Sequence, residues 1–333
     1  MNVLQALNGS LHASMAESEQ VYFLGEDILE PYGGAFKVAR GLSTTYPDRV
    51  ITTPVSEAGI VGLGTGMALR GLKVVVEIMF GDFIALAADQ IINHAAKLRW
   101  MSQAKVRIPL VIRTPMGGGR GYGPTHSQTL EKHFLGVPGL RVLAVTSMDD
   151  PGELLKSAIL EDDDPILFIE HKLLYAKTIQ IFNDTSEFTL QKSGERYPVY
   201  HLKIVGTPAP TLTITAYGYM AELARQAVQR LAFEFEIFAD LVVPTQLSPF
   251  NLDLLLECLA NTGRLLTIEE GTHTHGWGAE VVAHAVETHG ARIQAKRLAA
   301  RDMPIPASGP LEKSVIPDVE GIIKAAREIT GQK

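Results

Sequence analysis

The segment Thr52-Thr53-Pro54-Val55-Ser56-Glu57-Ala58-Gly59 places one carboxylate at the mouth of an apolar, glycine-rich run that extends to Gly66. Pro54 closes an extended stretch, Ser56 is a good N-cap, and Glu57 falls in the first turn of the helix that follows. An acid there is a solvated end charge favoured by the helix dipole, or it is held out of water for a single hydrogen-bonding partner, the setting in which carboxylates gain functional protonation behaviour.

A second candidate is the loop Met116-Gly117-Gly118-Gly119-Arg120-Gly121-Tyr122-Gly123-Pro124-Thr125-His126-Ser127-Gln128. So many glycines imply mobility or close wrapping around something, although the pattern matches neither the P-loop nor the dinucleotide fingerprint. His126 in such a loop is a candidate acid or base, because imidazole titrates near neutrality. Phe83, after Asp82, is either core packing or an aromatic face for a flat ring. His273 and His275 lack the further ligands that a zinc site needs. Glu269-Glu270 reads as a strand end, solvated or touching a partner. The run Glu161-Asp162-Asp163-Asp164 reads first as a solvated helix end; the alternative is a monovalent cation, potassium for instance, at Ile159, Asp162 and Asp164. Cys258, the single cysteine, lies in an apolar run and is expected in the core.

These residues need a scaffold. Apolar runs at 21–25, 74–79, 109–113, 141–145 and 165–169 read as buried strands, with helical patterns at 56–70, 83–101 and 151–161 between them. That alternation predicts a parallel sheet covered on both faces. A polar stretch at 179–207 suits a linker or an extended connection. Beyond it, strands at 212–216, 237–243 and 264–268 alternate with helices at 221–231, 251–260, 278–286 and 318–329. The expected fold is α/β, with two doubly wound parallel-sheet domains at 1–178 and 208–333. Ligands in such sheets sit beyond the carboxyl ends of strands, which draws attention to Gly25-Glu26-Asp27, 114–128 and 269–277.

With 333 residues, 46% of them hydrophobic, the chain is long enough for two cores. A net charge of −7 without a basic block argues against nucleic-acid binding. Residues 1–17 read as an amphipathic helix without the features of a signal peptide, and no apolar stretch is long enough to span a bilayer. A cytoplasmic enzyme or enzyme subunit is the expectation.

Taken in order, several segments resemble one family. They are Gly25-Glu26-Asp27, Gly33-Gly34-Ala35-Phe36-Lys37-Val38, the Glu57 segment, Glu77-Ile78-Met79-Phe80-Gly81-Asp82-Phe83, Ala88-Asp89-Gln90-Ile91, His126-Ser127-Gln128, Pro138-Gly139-Leu140, Glu170-His171-Lys172, Gly276-Trp277-Gly278-Ala279-Glu280 and Pro304-Ile305-Pro306. The chain resembles the β subunit of the thiamine-diphosphate-dependent 2-oxo acid dehydrogenase E1 component, a transketolase-like family. The resemblance implies a pyrimidine-binding domain followed by a transketolase C-terminal domain. It implies that Glu57 hydrogen-bonds the aminopyrimidine of thiamine diphosphate, that Phe83 packs on that ring with Val55 and Met79 lining the pocket, and that His126 serves acyl transfer to lipoyl. Gly-Asp-Gly, the family's diphosphate and magnesium motif, occurs nowhere in the chain. The resemblance therefore implies an α subunit carrying the diphosphate and Mg2+, in an α2β2 heterotetramer, with a lipoyl transacylase (E2) core and a small 2-oxo acid as further partners. Met79 and Gly123-Pro124-Thr125 depart from the family pattern. They leave open an aldehyde acceptor, as in a carboligase or ketol transferase; a non-catalytic scaffold is the third reading.

Overall fold

The computed structural model describes residues 1–183 and 185–332. They form two compact units: Met1–Gly117 with Thr129–Ile179, and Gly118–Gln128 with Gln180–Lys333.

In the first unit the apolar runs become parallel strands. β1 (Val21–Gly25), β2 (Val50–Thr52), β3 (Lys73–Glu77), β4 (Leu110–Met116), β5 (Arg141–Ala144) and β6 (Ile166–His171) are arranged in the order β5-β6-β4-β3-β1-β2. Every residue of β4 and β6 is buried, as expected of central strands covered on both faces. The N-terminal amphipathic helix is α1 (Val3–Glu17), opened by a capping box between Asn2 and Gln5. Its buried residues Val3, Ala6, Leu7, Ser10, Leu11, Ser14 and Met15 recur at helical spacing. After a single-turn helix α2 (Leu42–Thr45) comes α3 (Glu57–Leu69), whose Gly64 fits the sheet because a Cβ there would meet Val76 Cγ2 at 2.9 Å.

The segment expected as one helix at 83–101 is instead a 3₁₀ stretch (Gly81–Ala87), a π stretch (Gln90–Ala95) and α4 (Ala96–Met101). Its buried residues give the reason. Gly81, Ile84 and Ala87 recur every third position, the 3₁₀ period, and Ile91 and Ala95 then follow every fourth. The last helix of this unit is α5 (Pro151–Leu160).

Three central strands are tied by a buried charge network. Arg113 on β4 donates through Nε and Nη2 to both carboxylate oxygens of Glu170 on β6, at 2.7 and 2.5 Å, and through Nη1 to Glu77 on β3. The Tyr175 hydroxyl donates to Glu170 at 2.6 Å. Burial pushes the Glu77 carboxyl up; Arg113 opposes that, and the charge of Glu170 adds to it. Burial opposes the Arg113 charge, but Glu170 and Glu77 outweigh it and hold the guanidinium protonated.

The second unit has a six-stranded sheet in the order β13-β12-β9-β10-β8-β7, formed by β7 (Phe188–Lys192), β8 (Val199–Ile204), β9 (Leu212–Ala216), β10 (Ala239–Pro244), β12 (Arg264–Thr272) and β13 (Gln294–Ala300); a short β11 (Gln246–Ser248) follows β10. β7 and β8 lie within the segment expected as a linker and pair antiparallel to each other, and β8 in turn pairs antiparallel with β10. Their alternating, partly exposed pattern carries no continuous apolar run. β13 was not expected either, since this half-exposed edge carries Lys296 and Arg297. The helices are α6 (Gly218–Phe235), α7 (Asp253–Thr262), α8 (Trp277–His289), α9 (Gly309–Val315) and α10 (Val319–Thr330). Cys258 on α7 is buried, as expected.

Removing one partner of a buried ion pair strands the other's charge. Arg113→Met should therefore destabilise the protein by roughly 3–5 kcal/mol, read as a lower denaturant midpoint. An unchanged midpoint would show that Glu77 and Glu170 protonate at little cost.

Candidate active site

Glu57 opens α3 as the sequence predicts. The Ser56 hydroxyl caps the helix by accepting from Gly59 N at 3.3 Å. The buried residues of α3 are Glu57, Ile60, Val61, Gly64, Thr65 and Ala68, so the acid heads the inward stripe. It is only 5% exposed and takes no hydrogen bond or ion pair through its carboxylate among the described residues. The side chain is therefore mostly shielded, unlike a freely solvated helix-end charge. Buried carboxylates are normally answered by donors or cations.

Glu26, at the exit of β1, is its neighbour in charge. Burial first, and the Glu57 charge second, raise the Glu26 pKa; a backbone hydrogen bond from Ser56 works against them. Glu26 Oε1 is buried and has no hydrogen-bond partner among the described residues. The sequence marked Gly25-Glu26-Asp27 as a strand exit but gave Glu26 no role.

Met79 and Phe83 lie just past β3 and are both half-buried. Phe80 meets Phe83 edge-on with centroids 6.0 Å apart, and Phe36 meets Phe80 likewise at 5.5 Å. Gly81 is required between them, because a Cβ there would lie 2.3 Å from Met116 Cγ. Val55, between β2 and α3, is 81% exposed. Glu57, Val55, Met79 and Phe83 all belong to the first unit.

His126 belongs to the second unit, with the rest of Gly118–Gln128. The glycine loop is wrapped, and what it wraps is carboxylate. Gly118 N donates to Glu270 Oε1 at 2.6 Å, and Gly119 N and Gly121 N donate to the two oxygens of Glu312 at 2.8 and 3.1 Å. Gly119, Gly121 and Gly123 have φ of 83°, 68° and 76°, the left-handed region that favours glycine. At the end of the loop His126 is half-buried, with its Nδ1 2.9 Å from the Thr125 hydroxyl.

Two expectations are corrected. Glu269 and Glu270 are neither solvated nor at a strand end: both lie inside β12 and are buried, and Glu269 accepts from the backbone N–H groups of Trp277 and Gly278 at 2.7 and 2.9 Å, capping α8. In the 161–164 acidic run only Glu161, exposed at the end of α5, fits a solvated helix end. Asp162 is buried against Arg141 Nε at 2.9 Å, and Asp164 meets Arg99 at 2.5 Å and Arg141 at 3.2 Å. Arginine thus already supplies the positive charge that these two acids attract. Sequence reasoning missed Arg113, although a charged residue inside the apolar run 109–113 signals a buried partner. It also missed Glu312, for which the sequence carries no signal.

The chain matches two family models, "Transketolase, pyrimidine binding domain" over residues 1–178 and "Transketolase, C-terminal domain" over 202–322. Its fold is similar to that of a solved structure titled "Split gene transketolase, inactive beta4 tetramer", with a TM-score of 0.75, 19% identity and 100% of both chains covered. Fold and models together define a transketolase-like protein, as expected. Among curated proteins it is similar to the pyruvate dehydrogenase E1 component subunit beta-1, mitochondrial, of Oryza sativa subsp. japonica, at 38% identity over 98% of this chain and 86% of the relative. The corresponding subunit of Arabidopsis thaliana is 37% identical over 98% and 88%, and that of Saccharomyces cerevisiae 32% over 99% and 88%. The chain belongs to the family of β subunits of the 2-oxo acid dehydrogenase E1 component.

The raised Glu26 pKa fixes a pH signature. Folded Glu26 holds its proton more firmly than the unfolded residue does, so the stability this contributes is complete below the ordinary carboxylate value of 4.5 and is lost as pH rises through the folded pKa. Glu26→Gln carries no such charge. Its melting temperature should match the parent's in acid and exceed it increasingly toward neutrality; parallel curves would contradict this.

Proposed function

We propose that this subunit decarboxylates a 2-oxo acid with thiamine diphosphate and passes the acyl group to lipoyl, acting with a separate α subunit. The observation that carries the reading is Glu57, a largely buried acid at the head of α3 with no donor to its carboxylate among the described residues. The ring nitrogen of an aminopyrimidine, when it carries a proton, provides the donor that such an acid lacks, so the residues fit the ring half of the cofactor. When bound, the cofactor supplies a carbon nucleophile and a sink for the electrons released with carbon dioxide. Glu57 then holds a proton at the ring nitrogen and favours the tautomer able to remove another. Phe83 gives the ring an aromatic face, and Val55 and Met79 close the pocket around it. His126 moves a proton during acyl transfer.

The diphosphate half does not fit this chain alone, because no Gly-Asp-Gly motif is present and a diphosphate needs a divalent cation held by oxygen ligands. We assign that half, with Mg2+, to the α subunit of an α2β2 assembly, docked in turn on a lipoyl transacylase. Val55, Leu63 and Leu86, all exposed apolar side chains in the first unit, support such a partner. Potassium at Ile159, Asp162 and Asp164 finds no support from the two carboxylates, which face arginines. Among the described residues no helix is long and apolar enough to cross a membrane. We place the subunit in the cytoplasm; the plant and yeast relatives are named mitochondrial, and cell fractionation separates the two locations.

The direct test is turnover of several 2-oxo acids by purified α and β subunits with an artificial electron acceptor. Tight binding of thiamine diphosphate and Mg2+ by the β chain alone would overturn the divided site. Glu57→Gln should slow exchange of the cofactor C2 proton by roughly 10²–10⁴-fold, the range for a placed acid–base group, in a protein that still folds and assembles. Near-normal exchange would remove Glu57 from this role. His126→Ala should cut transfer to lipoyl domain by about 10²-fold and artificial-acceptor turnover far less. Equal losses in both would place His126 before the transfer step, and preferential loss of transfer to aldehydes would favour the carboligase reading.

A further inference from the structure

A cluster in the second unit takes no part in holding the ring. His201 on β8 lies opposite Val242 on β10 in the antiparallel register. Strand side chains alternate, so Asp240 shares a sheet face with Val242 and therefore with His201. α7 covers that face and brings in Cys258. His201 Nε2 is 2.7 Å from Asp240 Oδ1 and 3.7 Å from Cys258 Sγ, and the three atoms lie within 4.8 Å of one another. Asp240 and Cys258 are buried, while His201 stands at the rim, half-buried.

The geometry is not that of a catalytic triad, which needs the acid on one ring nitrogen and the thiol on the other. Here both converge on Nε2. With a proton on Nε2 the ring can donate to Asp240, but it has no lone pair there for the thiol. Without that proton, a lone pair faces a carboxylate. The thiol stands outside the imidazole–carboxylate hydrogen bond, and nitrogen, oxygen and sulfur each turn one ligand atom toward the others, as a cation between them would require. Nor is Cys258 a reactive thiolate: burial, with Asp240 and Glu257 nearby, pushes its thiol up to about 12.

We propose that His201, Asp240 and Cys258 form a binding site for a divalent transition metal of the zinc class, one nitrogen, one oxygen and one sulfur ligand leaving a fourth position open at the rim. Zinc bonds of about 2.0–2.3 Å put tetrahedral ligand atoms about 3.3–3.6 Å apart. The sulfur–nitrogen pair is already near this at 3.7 Å; the nitrogen–oxygen pair, at 2.7 Å, opens by a turn of the Asp240 carboxylate. Carboxylate, imidazole and thiolate together suit zinc and cobalt better than magnesium or calcium, which prefer oxygen alone. Coordination expels the thiol proton to solvent, forms a sulfur–metal bond and leaves the metal's oxidation state unchanged.

The test uses the full chain, stripped with chelator and titrated with Co2+. Because Cys258 is the sole cysteine, a thiolate-to-cobalt charge-transfer band can arise only there. The band should saturate at a single equivalent per chain, vanish on addition of Zn2+ and be absent from Cys258→Ser. His201→Gln and Asp240→Asn should weaken cobalt binding by at least the roughly 10-fold that loss of even an outer-shell partner costs. Absence of the band, or both variants binding like the parent, would overturn the proposal, the latter because the thiol alone then takes the ion. A second measurement needs no variant: Zn2+ should protect Cys258 of the unmodified chain from alkylation, and equal rates with and without zinc would also overturn it.

Discussion

A carboxylate taken out of water must be answered by a donor or a cation, and this constraint organises both units. In the first, Glu170 and Glu77 are answered by Arg113 and Asp162 by Arg141. In the second, Glu269, Glu270 and Glu312 are answered by backbone N–H groups. Glu57 is buried to a similar depth with no answering group among the described residues. The requirement is met at many positions and unmet at the head of α3, and that contrast is what supports the proposed role of Glu57. Glu26 sharpens the contrast, since a second acid close by raises the cost of leaving both charged and unpartnered.

The Arg113 network decides where the site residues can be. It ties β3, β4 and β6 at the end of the sheet where β3 gives way to Met79–Phe83. Glu77 also fills the space beside Gly34, where a Cβ would sit 2.6 Å from its Oε1, so the turn at 33–34 and the exit of β3 pack on the same carboxylate. In the second unit Glu270 and Glu312 play the matching part. By taking three amides of the glycine loop they turn a stretch of low intrinsic order into a fixed support for His126.

The fold and the site were legible to different degrees, for physical reasons. The central strands were plain in the sequence because burial on both faces demands an unbroken apolar run, as in Leu110–Met116. β7, β8 and β13 were not, because strands at or next to a sheet edge that are partly exposed carry mixed polarity. The path at 81–101 has the right polarity for a helix, and only the step of three between its first buried residues betrays 3₁₀ geometry. Glu57 could be singled out because a lone acid beside an N-cap and an apolar run is an anomaly of local composition. Glu312 could not, since its importance lies in the amides of a loop nearly two hundred positions away in the chain.

The proposed division of the cofactor site between two polypeptides accords with the distribution of charge. A diphosphate with its metal is the most strongly charged part of such a ligand, and the Gly-Asp-Gly motif that holds it in the family is absent from this sequence. An aminopyrimidine is flat and nearly neutral, and one buried acid with an aromatic wall suffices for it. Val55, two residues before Glu57 in the chain, is exposed. On the proposed reading a second protein surface would cover it, and the low-dielectric surroundings would strengthen the one hydrogen bond on which the tautomer depends. Assembly and activation of the acid are then a single event, so an unassembled β subunit should have little catalytic power of its own.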